Sequence, residues 1–138
     1  MQQLPVTTTT DSLIAELEQL GCGDFDFLRL PVSNHDMTFR GFAFIHYSTV
    51  EAATRFIYAA SGRVFAGGSC RSTIKIAETQ GIMVNLDKIN WDRRRRRNTH
   101  VCDKIGVGAN GVPLARLNGE LCQILTREDT ERAREIYG

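Results

Sequence analysis

The segment Arg40–Tyr47, RGFAFIHY, constrains the fold of this chain more than any other stretch. Side chains alternate across a β-strand, so one face carries Arg40, Phe42, Phe44 and His46, and the other carries Gly41, Ala43, Ile45 and Tyr47. The small residues of the second face suit close packing by helices. The phenylalanines of the first face are then either buried or left open to a planar, negatively charged ligand.

Two helices are predicted on either side of this segment. The first has Thr10 or Asp11 as its N-cap and ends at Gly21, with apolar residues at helical spacing between them. The second begins at an S-x-x-E capping box, Ser48–Glu51, and ends at Gly62. Both apolar stripes predict helices that pack one side against a sheet.

Two further strands are predicted from alternation with period two, at Phe25–Leu30 and Arg71–Ala77. The resulting order is helix, strand, strand, helix, strand. It lacks only a leading strand to become βαββαβ. We therefore expect an α+β, ferredoxin-like sandwich whose helices cover one face of the sheet.

The octapeptide RGFAFIHY matches the pattern of the RNA recognition motif, with Ile45 at its aliphatic position. Together with DFDFLRLP (24–31), GFAFIHYSTVEAATRFI (41–57) and ETQG (78–81), it makes residues 3–89 resemble the C-terminal RNA recognition motif of the Mei-two-like proteins of fungi, plants and protists. The resemblance implies an RNA-binding domain over residues 1–90. It also implies a short helix after the last strand, which Ile82–Ile89 can provide.

Strand parity predicts which residues lie on the open face of that sheet. We assign Leu28, Leu30, Ile74 and Ile76 to the face that packs on the helices. By the same alternation, no carboxylate is expected on the open face. The predicted open face consists of Phe27, Phe42, Phe44, Arg29, Arg40, Arg71 and Lys75. Aromatic planes stack on unpaired bases and the cations contact phosphates, as single-stranded RNA recognition requires.

The resemblance adds roles to some of these positions. It implies that Arg40 contacts phosphate and that Phe42 and Phe44 stack on bases or contact ribose, whereas His46 occupies a position that the family leaves free. The structural alternative is burial, because strand aromatics are more often core residues. In that case the tail folds over this face.

The family's first-strand hexapeptide is largely missing. Aligning Gln3–Pro5 with its end places its aromatic residue before residue 1, so we expect weaker RNA binding than in a complete motif. Three explanations are open: the chain is a fragment, Met1–Leu4 forms a strand stub, or Leu121–Leu125 of the tail fills the gap. We favour the stub.

Residues 91–138 are predicted to form an arginine-rich linker and a small tail. Residues 1–90 carry seven Lys/Arg against nine Asp/Glu, and the remainder carries ten against seven. The basic run is Arg93, Arg94, Arg95, Arg96 and Arg97; it is a phosphate-binding patch, a nuclear import signal or a solvated linker. Asn118-Gly119 predicts a hairpin, and Thr126–Tyr137 predicts a charged helix with a T-x-x-D start.

Several classes of function are not supported by the sequence. No catalytic constellation is recognisable, so we expect no enzyme activity and no cofactor. The G-x-G-x-x-G of Gly106–Gly111 lacks a preceding strand, and His100-x-Cys102 lacks metal-site spacing. The four cysteines are expected to be free thiols, and we expect no membrane association and an intracellular location, in the nucleus, the cytoplasm or both.

A protein-interaction module of the U-two-AF homology type is the main alternative function. Such domains resemble RNA recognition motifs but bind a tryptophan-containing peptide. Arg63-Val64-Phe65 resembles their Arg-x-Phe loop, and the first helix is acidic, with Asp11, Glu16 and Glu18. The intact octapeptide argues against this alternative, and Phe65 also fits a core position. Trp91-Asp92 beside the arginine run faintly resembles the ligand of such modules.

Overall fold

The computed structural model describes residues 1–33, 38–77, 80–87 and 110–138. The helices of this part are α1 (Thr10–Gln19), α2 (Val50–Ala60), α3 (Ile82–Asp87) and α4 (Arg127–Tyr137). The strands are β1 (Phe27–Arg29), β2 (Phe44–His46), β3 (Leu114–Leu117) and β4 (Glu120–Gln123). They form one antiparallel sheet in the order β2-β1-β3-β4. The α+β class predicted from the sequence is confirmed.

Threonines cap the helices, although two of the predicted caps are wrong by one residue. The N-cap of α1 is Thr9, whose hydroxyl accepts from the Ser12 N–H at 3.0 Å. The N-cap of α2 is Thr49 and not Ser48. Both caps sit in runs of adjacent hydroxyl residues, where composition alone does not select the capping position. The T-x-x-D start of α4 is confirmed, with Thr126 as its N-cap.

The first residues of the chain form a strand stub, as favoured from the sequence. The Gln2 N–H donates to the Thr73 carbonyl at 2.7 Å, and on the opposite side the Ala43 N–H donates to the Met1 carbonyl at 2.9 Å. The stub therefore lies between residue 73 and the segment that leads into β2. Residues 121–125 do not fill this gap, because they form most of β4 and its exit at the far side of the sheet.

The predicted strand over Arg71–Ala77 is only partly present. Thr73 forms an isolated bridge with Gln2, and no longer ladder involves residues 71–77. Ile76, which parity turned toward the core, is 87% exposed, whereas Ile74 packs against the core. A strand needs a neighbour to hold its register, and the stub reaches only as far as Thr73.

The tail supplies the other half of the sheet. Its hairpin turns at Asn118 and Gly119, whose φ angles of 53° and 88° are those of the predicted Asn-Gly turn. Strand β3 pairs with β1, and the Arg116 guanidinium donates to the carbonyls of Gly23 and Phe25, both at 3.1 Å. The hairpin therefore extends the sheet beside β1.

Two apolar clusters lie on opposite faces of the sheet. The first joins α1 and α2 to inward residues of the strands, including the predicted Leu28 and Leu30. The second joins α3 and α4 to the other face and consists of Phe27, Ile82, Leu86, Ala115, Leu117, Ile124 and Ala133. Helices thus cover both faces in part, whereas only one covered face was predicted. The predicted short helix after residue 81 is confirmed as α3.

Other sequence predictions concern chemistry rather than topology. Cys22, Cys70 and Cys122 are free, as predicted, and Cys102 lies outside the described residues. In the part of the chain that the structure describes, every helix is too short or too polar to cross a membrane.

Asn110 fastens the tail to the start of α1. Its Oδ1 accepts from the Thr10 N–H at 2.7 Å and from the Thr10 hydroxyl at 3.0 Å, while its Nδ2 donates to the Thr8 carbonyl at 2.9 Å. Next to it, the Gly111 N–H donates to the Leu30 carbonyl at 2.7 Å. The described end of the G-x-G-x-x-G segment therefore makes structural contacts.

We expect Asn110→Ala to lower the free energy of unfolding by about 1–3 kcal/mol, because it leaves partly buried polar groups of Thr8 and Thr10 unpaired. Urea denaturation measures this loss. Gln19→Ala, at an exposed position of α1, is the matched control and should change stability by less than about 0.5 kcal/mol. Equal stability of the two variants would contradict the prediction.

Candidate nucleic-acid interface

Phe42 and Phe44 lie side by side on the sheet face opposite α1 and α2. Their ring centroids are 5.6 Å apart and their planes meet at 87°, an edge-to-face pair. Both rings are half-buried. Gly41, at φ 87°, precedes them and its carbonyl accepts the Leu4 N–H at 2.9 Å, so the strand stub fixes the backbone where the pair begins.

Two cations lie near the aromatic pair. The guanidinium carbon of Arg40 lies 5.5 Å from the centroid of the Phe42 ring, within cation–π range. Lys75 is exposed and lines the same cavity, of about 560 Å³, as Phe42 and Phe44. Rings and positive charges are therefore presented together, as the sequence predicted for these four residues.

Phe27 does not belong to this surface, which corrects the prediction of a fully open face. It turns to the predicted side of the sheet but is only 1% exposed, because Ile82 and Leu86 of α3 and Ala133 of α4 pack over it. The alternative in which the tail covers the aromatics thus holds for Phe27.

Two predicted cations are also placed differently from the expectation. Arg29 is half-buried, desolvation lowers the pKa of its guanidinium, and its Nε is buried without a hydrogen-bond partner. Arg71 donates to the carbonyl of Gly62 at 3.0 Å, just beyond the C-terminal end of α2. Arg71 is therefore engaged with a backbone carbonyl, and Arg29 is not a freely exposed charge.

A carboxylate lies beside His46 that strand parity did not reveal. The Oδ2 of Asp26 is 3.6 Å from the Nδ1 of His46, and Asp26 is 8% exposed. His46 is paired in register with Phe27, yet its carbonyl accepts the Asp26 N–H at 2.8 Å. This irregularity resembles a β-bulge. It turns the Asp26 side chain toward the sheet face that regular alternation would assign to Phe27. A phosphate near His46 would therefore meet negative charge.

The residues behind the peptide-binding alternative are divided between surface and core. Phe65 is 2% exposed and belongs to the first cluster, which confirms its interpretation as a core residue. Arg63 and Val64 are exposed. Glu16 of the acidic helix accepts the Ala66 N–H at 3.0 Å, so one of its carboxylates already holds this loop.

Several predicted features lie outside the described residues. These are the basic run 93–97, the Trp91-Asp92 pair and the His100-x-Cys102 pair. Within the ranges that are described, no group of three or more His, Cys, Asp or Glu side chains is placed to hold a metal ion. Comparison of the sequence with models of known families and with curated proteins found no match.

Proposed function

We propose that this protein is a noncatalytic module that binds single-stranded RNA on the surface formed by Arg40, Phe42, Phe44 and Lys75. The observation that carries the proposal is the half-exposed aromatic pair, with Arg40 over one ring and Lys75 lining the same cavity as both. Every base has a planar face and every nucleotide a phosphate, so such a surface can hold unpaired nucleotides without reading their sequence.

The size of this surface limits what it can bind. With Phe27 buried, two rings remain for stacking, enough for one or two bases. Asp26 next to His46 directs phosphates toward the Arg40 and Lys75 ends of the surface, because like charges repel. We therefore propose short contacts of moderate affinity, which would suit one domain among several RNA-binding elements.

We further propose that the fold is the ferredoxin-like sandwich of an RNA recognition motif, of the Mei-two-like kind. Supporting this, the Met1–Leu4 stub lies between residue 73 and the lead into β2, where a first strand is required by βαββαβ. A role in post-transcriptional RNA regulation, inside the nucleus or cytoplasm, accompanies this assignment.

The proposal is tested by titrating labelled, random-sequence single-stranded RNA at several salt concentrations and reading fluorescence anisotropy. We expect Arg40→Gln and Lys75→Gln each to weaken binding to all sequences alike. The slope of log affinity against log salt should fall by about 0.7 for each phosphate that the variant no longer neutralises. Arg63→Gln, at an exposed arginine beyond α2, is the matched control and should leave the slope unchanged.

The arginine run needs its own arm in this experiment. A variant with Arg94, Arg95 and Arg96 replaced by glutamine separates a nonspecific polyanion patch from the sheet surface. If this variant loses binding while the Arg40 and Lys75 variants retain it, the proposal is wrong. Absence of binding by the unmodified chain at low salt would reject it as well.

We rank the peptide-binding function of the U-two-AF homology type second. It would use the exposed Arg63 and Val64 beside the acidic α1. Against it, Phe65 is committed to the core and Glu16 to the backbone of Ala66. Binding of a tryptophan-containing peptide that is abolished in Arg63→Ala would favour it.

A further inference from the structure

Two buried polar atoms lie close together at the edge of the aromatic surface without a hydrogen bond. They are the Oδ2 of Asp26 and the Nδ1 of His46, which are 3.6 Å apart, and neither has a hydrogen-bond partner in the part of the chain that the structure describes. Buried polar atoms of folded proteins almost always have a partner, so this pair has to be accounted for. The position of the proton on the imidazole decides whether the two atoms attract or repel each other.

The polar side chains near Asp26 are committed to other partners. Arg116, whose backbone N–H donates to the Asp26 carbonyl at 2.7 Å, uses its guanidinium on other backbone carbonyls. Burial, and then the Asp26 charge, raise the pKa of the Tyr137 phenol, which donates its hydroxyl to the Arg116 carbonyl. Among the described residues, His46 is therefore the group that is placed to satisfy the Asp26 carboxylate.

The carboxylate of Asp26 selects one tautomer of the neutral imidazole. A lone pair on Nδ1 would be repelled by the carboxylate, whereas an N–H is attracted, so the neutral ring carries its proton on Nδ1. The other ring nitrogen, Nε2, is then a hydrogen-bond acceptor. Nδ1 is buried but 33% of the His46 side chain is exposed, so this acceptor belongs to the part of the ring that solvent reaches.

The acceptor lies next to the proposed stacking surface. His46 and Phe44 are two residues apart on the same face of β2, a separation of about 7 Å along the strand. Both also line the cavity of about 560 Å³ that Lys75 borders. A base stacked on Phe44 can therefore bring its edge to Nε2, while the Asp26 charge keeps phosphates away from this end of the surface.

We propose that His46, oriented by Asp26, selects a base with an exocyclic amino group, cytosine or adenine, over uracil at the position stacked on Phe44. The N4 amino group of cytosine and the N6 amino group of adenine donate hydrogen bonds, whereas uracil presents the O4 carbonyl at the equivalent position. Nε2 and O4 are both acceptors and share no proton, so uracil is disfavoured. The inference rests on the proposed RNA binding and adds a base preference to it.

Fluorescein-labelled hexamers of cytidine and of uridine test the proposal, because they carry equal numbers of phosphates and differ in the groups that Nε2 can contact. At about pH 8, anisotropy should show that the cytidine hexamer binds about three- to tenfold more tightly, which is the contribution of one hydrogen bond. A hexamer of 2-pyrimidinone ribonucleotides has hydrogen in place of the amino group. It should lose the advantage of cytidine.

Two protein variants assign the preference to the Asp26–His46 pair. His46→Gln has both an acceptor and a donor at the end of its side chain. Asp26→Asn no longer selects one imidazole tautomer, because an amide can present either group to Nδ1. We expect each variant to bind the cytidine and uridine hexamers with equal affinity, while the melting temperature stays near normal. A purely structural role of the pair would instead lower both affinities and preserve their ratio, which would contradict the proposal.

Acid provides a second readout. Histidine changes its charge between about pH 5 and pH 8, and the imidazolium carries a proton on both nitrogens, so Nε2 becomes a donor. The preference of the unmodified chain for cytidine should shrink or reverse when the pH falls to about 5.5. The other charged or titratable groups of this region are Asp26, Lys75, Arg116 and Tyr137. His46→Gln keeps all four and should show no such change.

The hexamer titration distinguishes failure of the base preference from failure of RNA binding. Equal affinity for cytidine and uridine, in a chain whose binding depends on Phe42 and Phe44, would overturn the preference and leave the proposed function standing. Tighter binding of uridine at about pH 8 would also overturn it, since Nε2 would then act as a donor. Absence of binding to every hexamer at low salt would reject the proposed function and this inference with it.

Discussion

Replacing Phe42 and Phe44 together with alanine is expected to weaken single-stranded RNA binding by about 2–6 kcal/mol, which is roughly 30-fold or more. Base stacking on an aromatic side chain contributes about 1–3 kcal/mol for each base, and both half-exposed rings of the proposed surface would be removed. The cations Arg40 and Lys75 remain in this variant, so the residual binding should be strongly salt-dependent. Fluorescence anisotropy with random-sequence RNA measures the change.

The effect of this double variant on stability must be separated from its effect on base stacking, because Phe44 also packs against the second cluster. Phe42→Leu/Phe44→Leu is the matched variant: it keeps apolar volume on the face and removes the planar rings. We expect it to lose most of the affinity while retaining a near-normal melting temperature. Tyr58→Ala removes an aromatic that is 84% exposed on α2 and should bind like the unmodified chain. Full affinity in the leucine variant would exclude stacking as the basis of binding.

Deletion of the tail would be a poor way to test the proposed RNA-binding surface. Strand β3 pairs with β1, and α4 packs on the same cluster as Phe27. A chain that ends before residue 110 would therefore lose half of the sheet strands and expose an apolar face. Substitutions at single charged or aromatic positions change the surface without removing the structure beneath it, which is why the tests above use them.

Features that depend on neighbouring residues could be predicted from the sequence. The Asn118-Gly119 turn needs two adjacent residues that tolerate positive φ, and the start of α4 needs Thr126 and Asp129 three positions apart. Alternation over a few residues also predicted that Leu28 of β1 faces the core. In each case the energetic preference is local, so the sequence contains it directly.

Features that depend on distant parts of the chain could not be predicted in the same way. Whether Phe27 is open or buried is decided by α3 and α4, which follow it by more than fifty residues, and the highly charged α4 has few apolar positions to indicate a buried side. The placement of Asp26 depends on an irregular hydrogen bond to His46, which alternation cannot show. Of the predicted surface, the residues brought together are Arg40, Phe42, Phe44 and Lys75.

Phe27→Ala is expected to lower the free energy of unfolding by about 3–5 kcal/mol, a large part of the stability of a domain of this size. The ring is 1% exposed and is packed against α3, α4 and β3, so its removal leaves a cavity where the tail meets the sheet. Urea denaturation followed by circular dichroism measures the loss. Phe27→Leu, which keeps most of the apolar packing, should cost clearly less.

The pattern of this loss distinguishes a packed tail from a loosely attached one. If α4 is held through Phe27, hydrogen exchange in Phe27→Ala should accelerate first in α3 and α4, and later in α1 and α2, which pack on the other cluster. The ion pair between Arg134 and Asp87, at 2.7 Å, joins α4 to α3 but is exposed to solvent and cannot replace the missing packing. A loss below about 1 kcal/mol would mean that the tail does not cover Phe27 in solution, and the stacking surface would then include a third ring.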